Sequence, residues 1–172
     1  MEIIGKDLGL EKFAIYLAKL EFGQWKPELV VIHHCAAPSL AQRPTGFQPV
    51  HMQNLRDYYG KEKGWSAGPH LFIDDNAVWL FSPMTKPGVH AVSFNRKSIG
   101  IEMLGDYDSE DPTTGRGLKV VNLTAKVVKL LLRKLGKDTS AIRFHRDDPK
   151  TRKTCPGKKI SKEWFTQIVA NA

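Results

Sequence analysis

The chain of 172 residues has no apolar run near the ~20 residues that a membrane-spanning helix needs, so no stable membrane insertion is expected. It has only two cysteines, Cys35 and Cys155, too few for the disulfide framework of a small secreted domain. Residues 10–22 are apolar on one face, but Glu11, Lys12, Lys19 and Glu21 interrupt them, which rules out the apolar core of a signal peptide. With no signal peptide, synthesis in the cytoplasm is expected. There is no internal repeat, low-complexity tract or linker, so residues 1–172 read as a single domain with bulk enough for a real core. Helix-turn-helix, RNA-binding and zinc-finger patterns are also absent. Basic residues outnumber acidic ones, 26 Lys and Arg against 18 Asp and Glu, for a net charge of +8. That balance favours a polyanionic partner, either nucleic acid or an anionic bacterial envelope, or else it is only a solvated basic surface. Charge alone is no case for nucleic acid, and no nucleic-acid partner is expected.

Periodicity supplies the elements. Leu10, Phe13, Ala14, Leu17 and Leu20 share one helical stripe within 10–22, with Gly23 placed as a C-cap. Leu29–His33 reads as a buried strand, 36–49 as a loop, and Val50–Lys61 as a helix ending near Gly64. Pro69–Ile73 and Ala77–Phe81, joined at Asp74-Asp75-Asn76, predict a hairpin. Ser98–Leu104 is another strand, Asp106–Lys119 a flexible loop, and Leu123–Leu135 a helix stopped by Gly136. Ala141–Phe144 is a short strand leading into His145, and Ser161 caps a closing helix to Ala170. Alternation of this kind predicts an α/β fold: one central mixed β-sheet covered by helices.

The chemistry concentrates in Phe144-His145-Arg146-Asp147-Asp148-Pro149-Lys150-Thr151-Arg152-Lys153-Thr154-Cys155-Pro156-Gly157. Imidazole nitrogen and thiolate sulfur suit Zn²⁺. A further ligand is available in Val30-Val31-Ile32-His33-His34-Cys35, at the end of a β-branched run. Side chains alternate along a strand, so only one of His33 and His34 faces a given side. Two His and one Cys leave a fourth position open, the arrangement of a catalytic rather than a structural zinc. A Cys155 held as a metal thiolate is unavailable for a disulfide, and Cys35 then reads as a small buried hydrophobe.

Four blocks, VVIHHCAAP (30–38), GWSAGPHLFID (64–74), NRKSIGIEMLGDY (95–107) and FHRDDPKTRKTCPG (144–157), occur in the order found in zinc-dependent type 2 N-acetylmuramoyl-L-alanine amidases. The chain resembles that family, which includes phage lysozyme-amidases, anhydromuropeptide amidases and peptidoglycan recognition proteins. The resemblance spans about 28–168 and leaves 1–24 as an N-terminal helical extension. It implies one Zn²⁺ in a surface groove, held by His33, His145 and Cys155. It also implies catalytic roles for Glu102 and Lys153, and substrate contacts from His70, His90 and Asn95. Two departures stand out. The family tyrosine after the glycine of the second block is replaced by Pro69, which has no proton to give; Glu102 is the candidate to take over that role. The nine residues between His145 and Cys155 match the anhydromuropeptide branch, whose last ligand is an aspartate.

Such a site hydrolyses an amide. Zinc with an open position lowers the pKa of water to roughly 7 and polarises the carbonyl. Glu102 would shuttle protons and Lys153 would stabilise the oxyanion. The implied function is hydrolysis of the bond between N-acetylmuramic acid and L-alanine in peptidoglycan or muropeptides. A monomeric phage or prophage endolysin, released to the wall through a separate pore, is expected first; a cytoplasmic recycling amidase and a non-catalytic peptidoglycan-binding protein are the rivals. Each residue also has a plainer role open to it. Lys153 lies among Lys150, Arg152, Lys158 and Lys159, a basic loop; His70 faces either the cleft or the core; Trp65, Trp79 and Trp164 read as core. Glu102 is the most telling, because a lone carboxylate in an apolar strand is costly without a purpose.

Overall fold

The computed structural model describes residues 1–172. Six strands form one mixed sheet: β1 (Lys6–Leu8), β2 (Leu29–His34), β3 (Leu71–Ile73), β4 (Val78–Leu80), β5 (Ser98–Met103) and β6 (Ile142–Phe144). Their spatial order is β1-β4-β3-β5-β2-β6. β3, β5, β2 and β6 run parallel, whereas β4 is antiparallel to both β3 and β1. Four helices, α1 (Leu10–Lys19), α2 (Pro49–Asp57), α3 (Gly115–Leu135) and α4 (Lys162–Asn171), accompany the sheet. α3 lies over β2, β3 and β5 and is flanked by α1 and α4. The predicted α/β architecture, a central mixed sheet with helical cover, is the one observed.

Composition explains the centre of the sheet. Val30, Val31 and Ile32 of β2 are fully buried, as are Ile99 and Ile101 of β5. A parallel strand between two others is covered on both faces and takes a continuous β-branched run. α3 meets this surface with Val120, Val121, Thr124, Ala125, Val127, Val128, Leu131 and Leu132, a stripe at helical spacing. Gly136, at φ 64°, ends the helix in the left-handed conformation that glycine adopts without a Cβ clash. The hairpin turns on buried Asp74. One of its oxygens accepts the N–H groups of Asn76 and Ala77, and the other those of Phe47 and the Trp79 indole.

Several expectations need correction. α1 stops at Lys19 with Leu20 extended after it, so Gly23, at φ 66°, forms a later turn rather than the C-cap. β1 went unread because a three-residue edge strand, Lys-Asp-Leu, carries no periodicity. Asp106–Lys119 is not a flexible loop throughout, since α3 begins at Gly115. There Gly117 is a close-packing position: a Cβ on it would come within 2.0 Å of the Asp111 carbonyl oxygen. Arg116 fixes the start of α3 by donating twice to the Asp75 carboxylate and also to the carbonyls of Leu40 and Arg43. Trp65 is not core; it is exposed and stacks on Tyr59.

Candidate metal centre

The parallel strands deliver the candidate residues to one edge. His33 pairs in register with Glu102 across β2 and β5, and Ile32 pairs with Phe144 across β2 and β6. His145, the residue after β6, therefore continues the row in which His33 stands. Nδ1 of His33 lies 3.1 Å from Nδ1 of His145 and 3.7 Å from Oε1 of Glu102. One donor atom from each of His33, His145 and Cys155 lies within 4.8 Å of the other two. This is the carboxyl end of the parallel strands, where open α/β sheets commonly place ligands.

The chain belongs to the N-acetylmuramoyl-L-alanine amidase family. The family's sequence profile matches residues 23–158. A peptidoglycan recognition protein of Trichoplusia ni is 33% identical over 92 residues, which cover 50% of this chain and 47% of that protein. The chain thus spans about half the length of the recognition proteins it matches. The endolysin of Enterobacteria phage T3 is 26% identical over 152 residues, covering 86% of this chain and 93% of the endolysin. Among solved structures, the Clostridium intestinale endolysin amidase LysCS superposes with a TM-score of 0.65 at 21% identity, covering 85% of each chain. Drosophila peptidoglycan recognition protein LB gives 0.64 at 22% identity, covering 81% of this chain and 80% of that one.

Burial sets the charge states of this amidase-family site. Desolvation holds His33 well below the ordinary histidine range, helped by the neighbouring His90, His145 and Lys153. His145 is lowered by the same cause and by Lys153. Both rings are therefore neutral at physiological pH, the form in which an imidazole offers a lone pair to a metal. Burial pushes Glu102 up to about 8, against the pull of the Lys153 ammonium. Cys155 is buried, and desolvation, reinforced by Glu102, raises its thiol; a thiol next to a divalent cation is instead deprotonated. Two neutral imidazoles and one sulfur, with the Glu102 carboxyl group beside them, form a donor set that fits zinc with a position to spare.

The surrounding loops hold these groups in place. Arg146 accounts for the position of Cys155: its guanidinium donates to the carbonyls of Thr154, Gly157 and Ile160, and its backbone N–H to the carbonyl of Cys155. The guanidinium also lies over the Phe144 ring, 4.7 Å from its centroid. Asp108 takes the Thr154 hydroxyl and the Lys158 N–H. Asp148 accepts the Ser93 and Lys150 N–H groups, joining this loop to the segment that carries His90. Arg146 and Asp148 carry no signature in the sequence, because nothing in a basic loop marks which side chain folds back onto the loop's own backbone.

His34 takes the other side of the strand, as alternation requires. Its Nδ1 accepts the Tyr107 N–H. Asp106 and Asp108 lie near it, but their oxygens accept from Ser109, Thr154 and the backbone, so this second cluster builds the loop. Cys35 is half-buried beside the core. Lys153 is exposed and reaches the site through its charge.

The three residues named as substrate contacts are His70, His90 and Asn95, and each has protein partners of its own. His70 is fully buried. Its Nδ1 accepts the Gly100 N–H, its Nε2 donates to the Lys86 carbonyl, and Trp25 stacks on its face. Both ring nitrogens are engaged with backbone, so His70 is a core histidine rather than a cleft contact. His90 is buried against His33. The Asn95 side-chain oxygen accepts the N–H groups of His90 and Ala91, a loop-building bond.

Proposed function

We propose that this chain is a zinc-dependent amidase that cleaves the bond between N-acetylmuramic acid and the L-alanine of the stem peptide. The observation that carries the reading is the convergence of His33, His145 and Cys155 beside Glu102, in a chain of the amidase family. His33, His145 and Cys155 would hold the ion, which supplies Lewis acidity at the scissile amide when bound. Glu102, on the strand next to His33, would be drawn to its ionised form by a cation held beside it; it then takes a proton from the attacking water and returns it to the departing nitrogen. Such shuttling contributes about 10²–10⁴ in rate. Lys153, whose charge is felt by Glu102 and both histidines, stabilises negative charge developing on the carbonyl oxygen. With Pro69 in place of the family tyrosine, these two side chains carry the polar chemistry.

The alignment over 93% of the phage T3 endolysin supports the polymeric wall as substrate and an endolysin role. The basic surface, at +8, suits an anionic polymer. Digestion of purified peptidoglycan tests the activity: new N-terminal alanine without new reducing ends is expected, and reducing ends would make the protein a glycosidase. Intact sacculi compared with soluble anhydromuropeptides separate the endolysin from a recycling amidase. A protein that binds wall fragments without stoichiometric metal or turnover would be a recognition protein instead.

A further inference from the structure

His33 has two ring nitrogens, and a metal can take only one that carries no proton. A chain of hydrogen bonds decides which. The Ser98 hydroxyl donates its single proton to the Phe94 carbonyl at 2.7 Å. Toward His90 Nε2, 3.3 Å away, Ser98 is therefore an acceptor, and Nε2 carries the His90 proton. His90 Nδ1 then has a lone pair, and 3.0 Å from it stands Nε2 of His33. That nitrogen donates, so the proton of neutral His33 resides on Nε2. The opposite nitrogen, Nδ1, is left bare and faces Nδ1 of His145.

The seat of His90 is specific. Gly100 of β5 lies under its ring, and a Cβ there would come within 2.5 Å of the His90 Cγ. The ring stands edge-on to His33, at 88° with 5.1 Å between centroids. The Asn95 side-chain oxygen fixes the backbone on both sides of the His90 Cα by accepting the His90 and Ala91 N–H groups. His90 is buried, and its two ring nitrogens are taken up by Ser98 and His33.

We propose that His90 is a positioning residue: together with Ser98 it locks His33 in the tautomer protonated at Nε2 and keeps the Nδ1 lone pair free for the metal. The proposal rests on the metal-dependent reading above, but concerns the state of the chain before metal arrives. Partners of this kind fix ring orientation and ligand basicity, and their loss typically costs about 10–100-fold in metal affinity. The same logic separates His33 from His70, whose two nitrogens are both bound to backbone.

The first test uses the full-length metal-free protein at neutral pH. Long-range ¹H–¹⁵N correlation of the imidazoles should show His33 with a protonated Nε2 and a bare Nδ1, and His90 likewise. The second measures zinc affinity by competition with a chelating dye. His90→Phe keeps the bulk without the acceptor and should weaken zinc binding about 10–100-fold. His90→Asn places a carbonyl oxygen near the position of Nδ1 and should recover the larger part of that loss, which a role in packing alone does not predict. Ser98→Ala, one link further out, should increase the population of the wrong His33 tautomer in the same spectrum. A wild-type spectrum with the His33 proton on Nδ1 overturns the proposal even if His90→Phe fails to fold. So does a folded His90→Phe protein that binds zinc like wild type. Wild-type protein that takes up no zinc while showing the expected tautomer sinks the metal-dependent reading and reduces His90 to packing.

Discussion

Glu102 stands on β5 between Ile101 and Met103, both fully buried, and still points a carboxylate at His33 Nδ1. Its neighbours give it no hydrogen-bonded cation to neutralise it, and burial raises it to about 8 against the pull of the Lys153 ammonium. Structural carboxylates in this chain look different: Asp74 receives four donors. Glu102→Gln is nearly isosteric and keeps the packing. It should bind zinc stoichiometrically and fold normally, yet lose about 10²–10⁴ in turnover. Metal content and peptidoglycan digestion measured on one preparation decide this, and a fully active variant removes Glu102 from the mechanism. Lys153→Ala should keep metal and structure and lose about 10²–10³ in turnover, as expected for one electrostatic donor to an oxyanion. Unchanged turnover would return Lys153 to the basic loop around it.

At the scale of elements, the site depends on segments tied down by single side chains. Arg116 links the start of α3 to Asp75 in the hairpin turn and to the carbonyls of Leu40 and Arg43. The Asp75 side chain is 9% exposed and that of Arg116 29%, so the pair is only partly screened. Arg116→Ala should destabilise the fold by about 1.5–3 kcal/mol, the range for hydrogen bonds to charged groups, as read by urea denaturation. The pH dependence has a definite sign. The Arg116 hydrogen bonds hold Asp75 below the ordinary carboxylate range. Their contribution is complete above the unfolded value of about 3.9 and is lost as pH falls through the depressed folded value. The stability gap between wild type and Arg116→Ala should therefore be constant near neutrality and close only in acid. The same elements explain what the sequence disclosed. β2, β5 and α3 from Leu123 onward were legible because burial imposes their periodicity, and the four blocks because each is contiguous and includes the carboxyl end of a strand. The first turns of α3 were not, because Gly115 and Gly117 look like breakers until the backbone of Asp111 is found against Gly117. The role of His90 was hidden for a related reason. It depends on the missing side chain of Gly100 and on the direction of the Ser98 hydroxyl proton, and neither has a sequence signature.

At the scale of the whole molecule, the candidate ligands come from sites far apart in the chain. His33 lies at the end of the second strand, His145 just beyond the last, and Cys155 in the loop before α4. Between His33 and His145 lie the hairpin, β5 and α3, so an ion held by these side chains closes most of the fold into a loop. A metal bound only by the native state stabilises it by mass action, by about 2.7 kcal/mol when free zinc is one hundred times its dissociation constant. For a domain of this size that is on the order of 5–10 °C in Tm. Zinc added to metal-free protein should raise Tm by that amount at matched free concentration, and a chelator should reverse the gain and abolish turnover together. Cys155→Ala should lose most of the zinc-dependent shift, because two imidazoles are a weak pair without the sulfur, whereas Cys35→Ala should keep it. Calorimetry on the three proteins with and without zinc separates these outcomes: an equal Tm for wild type with zinc and with chelator would mean that these donors converge without holding an ion.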